Sequence, residues 1–344
     1  MVNVLFGQNG GGTPTDRLQG EQGLFSQAPA FPPGQAQALG GAKIWTAEDI
    51  VRVVAAQELA MDNLRRRMEA DYGTYMLEWN DDRWGDGGKP EDYQDYISNE
   101  PRTYADRMVE LLVSSDMIPR VPYGDLKEQE RKFGQAKERF FLWALRQADQ
   151  QQLGAVLPSV KQQLSFFIML RGWHAGRAML YKTPDGATAA DITVFDPMHT
   201  TYGVGQGGLA WMCHKVIRTS EEIEAEFGIP PNDLLFKPAA EGITAGETQT
   251  GWEVLDFYDR QFNYVVIGKE MVKGPVPHGA SRVPGFVGLA GANPFVQRLD
   301  EKNIKWLMAE TGESVYSADR IVYDALNKVL SDRRTVVHRQ LQPG

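Results

Sequence analysis

The chain has 344 residues, 42% of them hydrophobic and 24% charged, the balance of a folded soluble protein with material for one large domain or two ordinary ones. A formal net charge of −9 excludes a general nucleic-acid binder that grips phosphate through a basic surface, although a mildly acidic wall suits a protein past which DNA slides. The single cysteine, Cys213, excludes an intrachain disulfide framework and a thiolate-rich zinc site, and a reducing compartment is expected. The start, MVNVLFGQNGGG, carries neither a basic patch nor an apolar h-region, so no secretory signal is expected. The longest apolar stretch, Leu164–Leu170, is interrupted by Ser165 and is too short to cross a bilayer, so no membrane partner is expected.

Residues 1–43 are rich in Gly, Pro, Ala and Gln and read as a flexible arm, ordered against a neighbouring molecule if at all. The folded part is expected to begin at Trp45. Thr46 caps a helix with Asp49 three residues on, and Ile50, Val54, Met61, Leu64 and Met68 mark its buried face. Arg65, Arg66 and Arg67 fall at its far end, where cations complement the helix dipole. Residues 79–95 read as an acidic, glycine-rich loop. Its carboxylates (Asp81, Asp82, Asp86, Glu91, Asp92) lack the spacing of an EF-hand, so no metal is expected. A second helix starts at Asn99–Pro101 with Tyr104, Met108, Leu111 and Leu112 inward. A third spans about 125–152, anchored by Phe133, Ala136, Phe140, Trp143 and Leu145. A fourth covers 159–172.

The period then changes from 3.6 towards 2. Residues 177–182 and 188–195 form a hairpin around Pro184-Asp185-Gly186, and Asp196-Pro197 ends it. Residues 209–218 are a strand. Thr219 and Glu222 form a capping box for a short helix that Gly228 stops. Residues 252–260 and 263–268 make a second hairpin. Pro275, Pro277, Pro284 and Pro294 mark an extended segment before a helix near 300–309. Last comes a long helix over 312–339. Val315, Ala318, Ile321, Val322, Ala325, Leu326, Val329 and Leu330 lie on one stripe of it, with charges of both signs between them. Such a helix packs into a core, or against copies of itself.

Signals for chemistry fail one by one. Gly203–Gly208 satisfies G-x-G-x-x-G, but a dinucleotide site needs a strand before it and a helix after, and a strand follows here. The histidines at 174, 199, 214, 278 and 338 form no ligand spacing, and neither H-E-x-x-H, G-x-S-x-G nor a Walker A run occurs. Cys213 and His214 point to opposite faces of a strand, and Asp256 and Asp259 read as solvated. No catalytic residue, cofactor or metal is expected. The competing reading is a soluble α+β enzyme or ligand-binding domain with its site at the Gly203–Gly208 loop.

The order of segments resembles the portal proteins of tailed bacteriophages. The resemblance rests on Tyr96-Ile-Ser-Asn-Glu-Pro-Arg-Thr-Tyr-Ala-Asp-Arg-Met and on Ile192-Thr-Val-Phe-Asp-Pro197. It continues through Lys215–Phe227, Trp252–Gly268, His278-Gly-Ala-Ser-Arg-Val-Pro284 and Ser317–Ser331 with Asp324, Asn327 and Ser331. It covers roughly 95–335. It implies an α+β fold, with an N-terminal helical bundle plus antiparallel β-hairpins of a portal wing, ending in a stem-like helix. The parts expected are an arm (1–44), the helical wing (45–173), the α/β wing (174–298) and a helix leading into the stem (299–344). It implies a homododecameric ring at a capsid vertex, a structural head–tail connector of the virion assembled in the host cytoplasm, and no enzyme. Double-stranded DNA would pass through non-specifically during packaging and ejection, and the partners would be the major capsid protein, the terminase large subunit and a head–tail adaptor. Portals continue past this helix into a clip, a second stem helix and a crown. The chain stops at Gly344, as expected of either a fragment or a shortened relative. Within that reading Lys328, Arg333, Arg334 and Arg339 are the basic residues expected to approach DNA or a neighbouring subunit, the second through ion pairs with Asp324 or Asp332.

Overall fold

The computed structural model describes residues 44–78, 83, 89–115, 120, 128–183, 185–205, 207–230, 251–290 and 312–341. The expected arm, the carboxylates at 81, 82 and 86 and the helix near 300–309 lie outside them. Seven α-helices and two antiparallel sheets among the described residues make an α+β protein. They fall into two units interleaved along the chain: residues 53–214 with 282–344, and residues 1–52 with 215–281.

Thr46 accepts a hydrogen bond from the Asp49 N–H just ahead of α1 (Ala47–Ala60), a helix that belongs to the smaller unit up to Arg52 and to the larger unit from Val53. The single expected helix is two: Met61 breaks it, and α2 (Asp62–Met76) follows. Arg65, Arg66 and Arg67 therefore open a helix instead of closing one, where their charge opposes the dipole. Each is held by a carboxylate, respectively Glu58 (2.9 Å), Asp62 (2.9 Å) and Glu313 (3.2 Å). Helix α3 (Glu100–Ser114) has proline in its first turn as expected, but Pro101 and Ala105 are its buried residues and Tyr104 and Leu111 face out. Helix α4 (Glu128–Gly154) departs further. Phe133, Ala136, Phe140 and Trp143 are exposed, and the chain packs on Ala144 and Ala148 instead. Helix α5 (Val160–Arg171) lies where the sequence places a helix, and it is capped at both ends: Ser159 accepts from the Gln162 N–H, and Gly172 closes it in the left-handed region.

Strand β1 (Trp173–Lys182) pairs over Ala175–Lys182 with β2 (Thr188–Phe195) and, over Trp173–Arg177, with β8 (Gly285–Leu289). Helices α4 and α5 lie against this sheet through Ala148, Val160 and Val194, with Leu145, Leu164, Phe167 and Ile192 around them. Arg171, buried, ties three elements together. It donates to the Met68 carbonyl (2.6 Å) and to Asp196 (2.9 Å), and stacks over Tyr72. Asp196 in turn caps the 3-10 turn Pro197–His199 that leads into β3 (Thr200–Gly205) and its partner β4 (Gly208–Arg218).

A second apolar cluster of the larger unit, Ala105, Leu170 and Tyr316, gathers Tyr72, Tyr75, Phe166 and Tyr323 about it. The Tyr316 hydroxyl donates to the Pro101 carbonyl (2.8 Å), and burial pushes its phenol well above the ordinary range. A folded-state pKa above the unfolded value of about 10 means the native state keeps a proton the unfolded chain loses. This contribution is present below about pH 10 and is lost as pH rises beyond it. Tyr316→Phe is expected to cost about 1 kcal/mol at neutral pH, for the lost hydrogen bond, and to flatten the fall in stability above about pH 10. Urea denaturation across that range checks both parts.

The smaller unit is a meander. From Lys215 strand β4 continues here, and β5 (Trp252–Tyr258), β6 (Phe262–Ile267) and β7 (Glu270–Pro277) follow in order. Helix α6 (Ser220–Phe227) carries the expected capping box and packs Ile223 onto Val254, Val265 and Ile267. Strand β7 was not expected as a strand. Among the described residues it pairs with β6 alone, and its two prolines sit where no further described strand needs their N–H. Asp256 and Asp259 are not solvated as expected. Asp259 accepts from the Gln261 and Phe262 N–H groups and holds the β5–β6 turn, while Asp256 accepts from Tyr258 and Asn263.

Candidate functional site

The terminal helix α7 spans Arg320–Leu341. It begins later than its apolar pattern predicts because residues 312–319 form turns instead, so Val315 and Ala318 lie outside it. Gly312 (φ 85°) packs against Gly172. A Cβ on Gly172 would lie 2.3 Å from the Gly312 carbonyl oxygen, so neither position accepts a side chain. The start of α7 is fixed by charge. Asp71, buried on α2, accepts from Arg320 Nε at 2.6 Å and Nη2 at 2.8 Å, and from the Ser314 hydroxyl at 2.7 Å. Arg320 also meets Glu313 (3.1 Å), which Arg67 holds from α2.

Beyond that anchor the covered side of the helix is polar. Its buried residues are Asn327, Ser331 and Thr335, one every four positions. An extended strap, Gln94–Ser98, runs antiparallel to them. The Ser98 N–H donates to Asn327 Oδ1 (3.0 Å), the Tyr96 N–H to Ser331 Oγ (2.8 Å) and the Gln94 N–H to Thr335 Oγ1 (2.9 Å). The two repeats match in length. Four helical residues rise about 6.0 Å and two residues of extended chain about 6.6 Å, so alternate strap amides meet successive turns of α7. Helix side chains thus do for the strap what a neighbouring strand does in a sheet. Tyr93 and Arg83 on Asp332, Arg334 on the Asp95 carbonyl and Arg339 on Asp92 extend the contact at both edges.

The opposite side of α7 is apolar and uncovered by any described residue. Val322, Val329 and Val336 recur every seven residues, and they are 56%, 64% and 51% exposed. Ile321, Ala325, Val337 and Leu341 flank them, also exposed. Val329 and Ser331 are two residues apart, about 200° round the helix, so the apolar row and the polar ladder lie on opposite sides. This is the reverse of an ordinary surface helix.

The four basic residues singled out in the sequence are spread over this frame. Lys328 pairs with Asp324 within the helix (2.7 Å). Arg334 and Arg339 are used on the strap, where the Arg339 hydrogen bond holds the Asp92 carboxyl below its ordinary value. Arg333, exposed, is the one with no ion pair among the described residues, and it lies at the margin of the valine row. Asp332 meets Arg83 of its own chain (2.9 Å).

Elsewhere, Gly203, Val204 and Gly205 end β3 and Gly208 opens β4. Gly203 is opposite Trp211, and a Cβ there would lie 2.2 Å from the indole nitrogen, so indole packing is what requires this glycine. Cys213 is buried, and His214 stacks on Phe195 with ring centroids 4.0 Å apart. No group of three or more potential metal ligands occurs among the described residues. The sequence reading missed the strap, because residues 94–98 have no periodicity that marks them; the only signal was three small polar residues at i, i+4 and i+8 on α7. Comparison with known families finds no model that matches the chain, and comparison with curated proteins finds no match.

Proposed function

We propose that this chain is a structural subunit that assembles through α7 into a ring of the portal type, a passage for double-stranded DNA and not an enzyme. The observation that carries the reading is the outward valine row on a helix whose inward side is already satisfied by the strap. A row of apolar side chains some 20 residues long is costly to leave in water, at about 25 cal/mol per Å². Copies arranged about an axis would bury it on each other. The net charge of −9 fits a channel wall that does not retain phosphate. A capsid vertex, a packaging motor and a head–tail adaptor are the partners that the segment order implies for such a ring. Arg333 is the basic residue left to face a neighbour or DNA.

Electron micrographs and native mass spectra of the purified chain test this. Closed rings are expected. Val329→Asp with Val336→Asp is expected to abolish them while leaving the melting temperature within a few degrees, because both positions are exposed in the isolated chain. A wild-type protein that stays monomeric up to high concentration would refute the reading.

A further inference from the structure

We propose that the amino-terminal half of α4 is a second contact surface between copies of this chain, engaged through Phe133, Phe140 and Trp143. The inference rests on the ring reading above.

The two halves of helix α4 differ in how far their side chains are buried. Its later turns are held: Ala144 and Ala148 are buried, Gln147 accepts from the Ala190 N–H (3.1 Å) and Asp149 from the Val160 N–H (2.8 Å). Its earlier turns carry exposed aromatic side chains. Phe133 is 63% exposed, Phe140 42%, Phe141 58% and Trp143 38%. Phe133, Phe140 and Trp143 recur at i, i+7 and i+10, hence on one side, and Phe140 and Trp143 touch with ring centroids 5.4 Å apart. From Glu128 to Trp143 the helix runs about 24 Å. On this side Phe133, Phe140 and Trp143 are all exposed to some degree.

Area assigns the occupant. The exposed row on α7 runs from Ile321 to Leu341, about 30 Å, and is roughly 10 Å across. A seam of two such rows buries on the order of 600 Å², roughly half of what a specific interface needs. Contact between copies through α7 therefore needs a second apolar surface, and the α4 aromatics are an exposed apolar group on the same unit. Aromatic side chains are the type that concentrates at the centre of such contacts. Two different surfaces on one chain also suit the head-to-tail contact that closes a ring.

The test uses the full chain with a photo-crosslinking phenylalanine analogue at position 140, and separately the variant Phe133→Ser with Phe140→Ser. Crosslinks between copies are expected in assembled material. The variant is expected to associate at least about tenfold more weakly with unchanged circular dichroism and melting, as for loss of an aromatic anchor. Rings that form normally in the variant, or crosslinks that stay within one chain, overturn this inference and leave the ring reading standing. A wild-type chain with neither rings nor intermolecular crosslinks sinks both.

Discussion

Asp71→Ala is expected to destabilise the larger unit by about 3 kcal/mol, the low end of the range for removing one partner of a buried ion pair. The Asp71 carboxylate is 3% exposed, so nothing of its shape or charge is replaced by water when it goes. Three donors lose their acceptor together: two from Arg320 and the Ser314 hydroxyl. Arg320 is 29% exposed and keeps Glu313, which is why the low end applies. Asp71→Asn separates charge from shape, since an amide accepts through one oxygen only and offers donors to a guanidinium that cannot use them. It is expected to recover less than half of the loss. The measurement is urea denaturation, with the midpoint falling and the slope unchanged. The cycle with Arg320→Ala should return a coupling of about 2 kcal/mol. A loss below about 1 kcal/mol would mean that Ser314 and Glu313 suffice to place α7, and that the carboxylate is dispensable.

What the sequence disclosed depended on how local the physics was. The Thr219–Glu222 capping box, the Gly228 stop of α6 and the turn between β1 and β2 are settled by groups within a few residues of one another, and each forms as read. Strand β7 was hidden by Pro275 and Pro277, which argue against a central strand and are silent about an edge. The helices were found but their faces were not. Periodicity tells which residues share a side, and it leaves open which side a neighbour covers. On α4 the aromatic side was taken as inward because large apolar groups ordinarily are, yet alanines make the contact. On α7 the reading followed the apolar stripe and gave Asn327, Ser331 and Thr335 no side, whereas they are the buried residues. That inversion needs a partner with unpaired amides, supplied by a strap more than 200 residues earlier in the chain, and no window of sequence contains both.

The ladder leads to the second large effect. Asn327→Ala, Ser331→Ala and Thr335→Ala combined are expected to cost about 3 kcal/mol, less than the sum of the single losses at roughly 1–3 kcal/mol for each stranded amide. The shortfall has a physical cause. Once two acceptors are gone the strap can lift and let water satisfy the freed N–H groups, which caps the penalty at the cost of detaching the strap. Ser331 should dominate the singles, because it is fully buried and also donates to the Tyr96 carbonyl (3.3 Å). Hydrogen exchange gives the sharper check. In the wild type the Gln94, Tyr96 and Ser98 amides should be protected, whereas those of Asp95 and Ile97, which make no hydrogen bond among the described residues, should exchange freely. Ser331→Ala should speed exchange at Tyr96 by on the order of tenfold or more, about 1.4 kcal/mol per decade, with smaller changes at its two neighbours. Uniform protection along the strap, or none, would show that the side-chain ladder does not hold it. Because Val329 and Val336 lie on the far side of α7, their replacement should leave this alternating pattern intact, so the helix can lose one face's contacts without losing the other's.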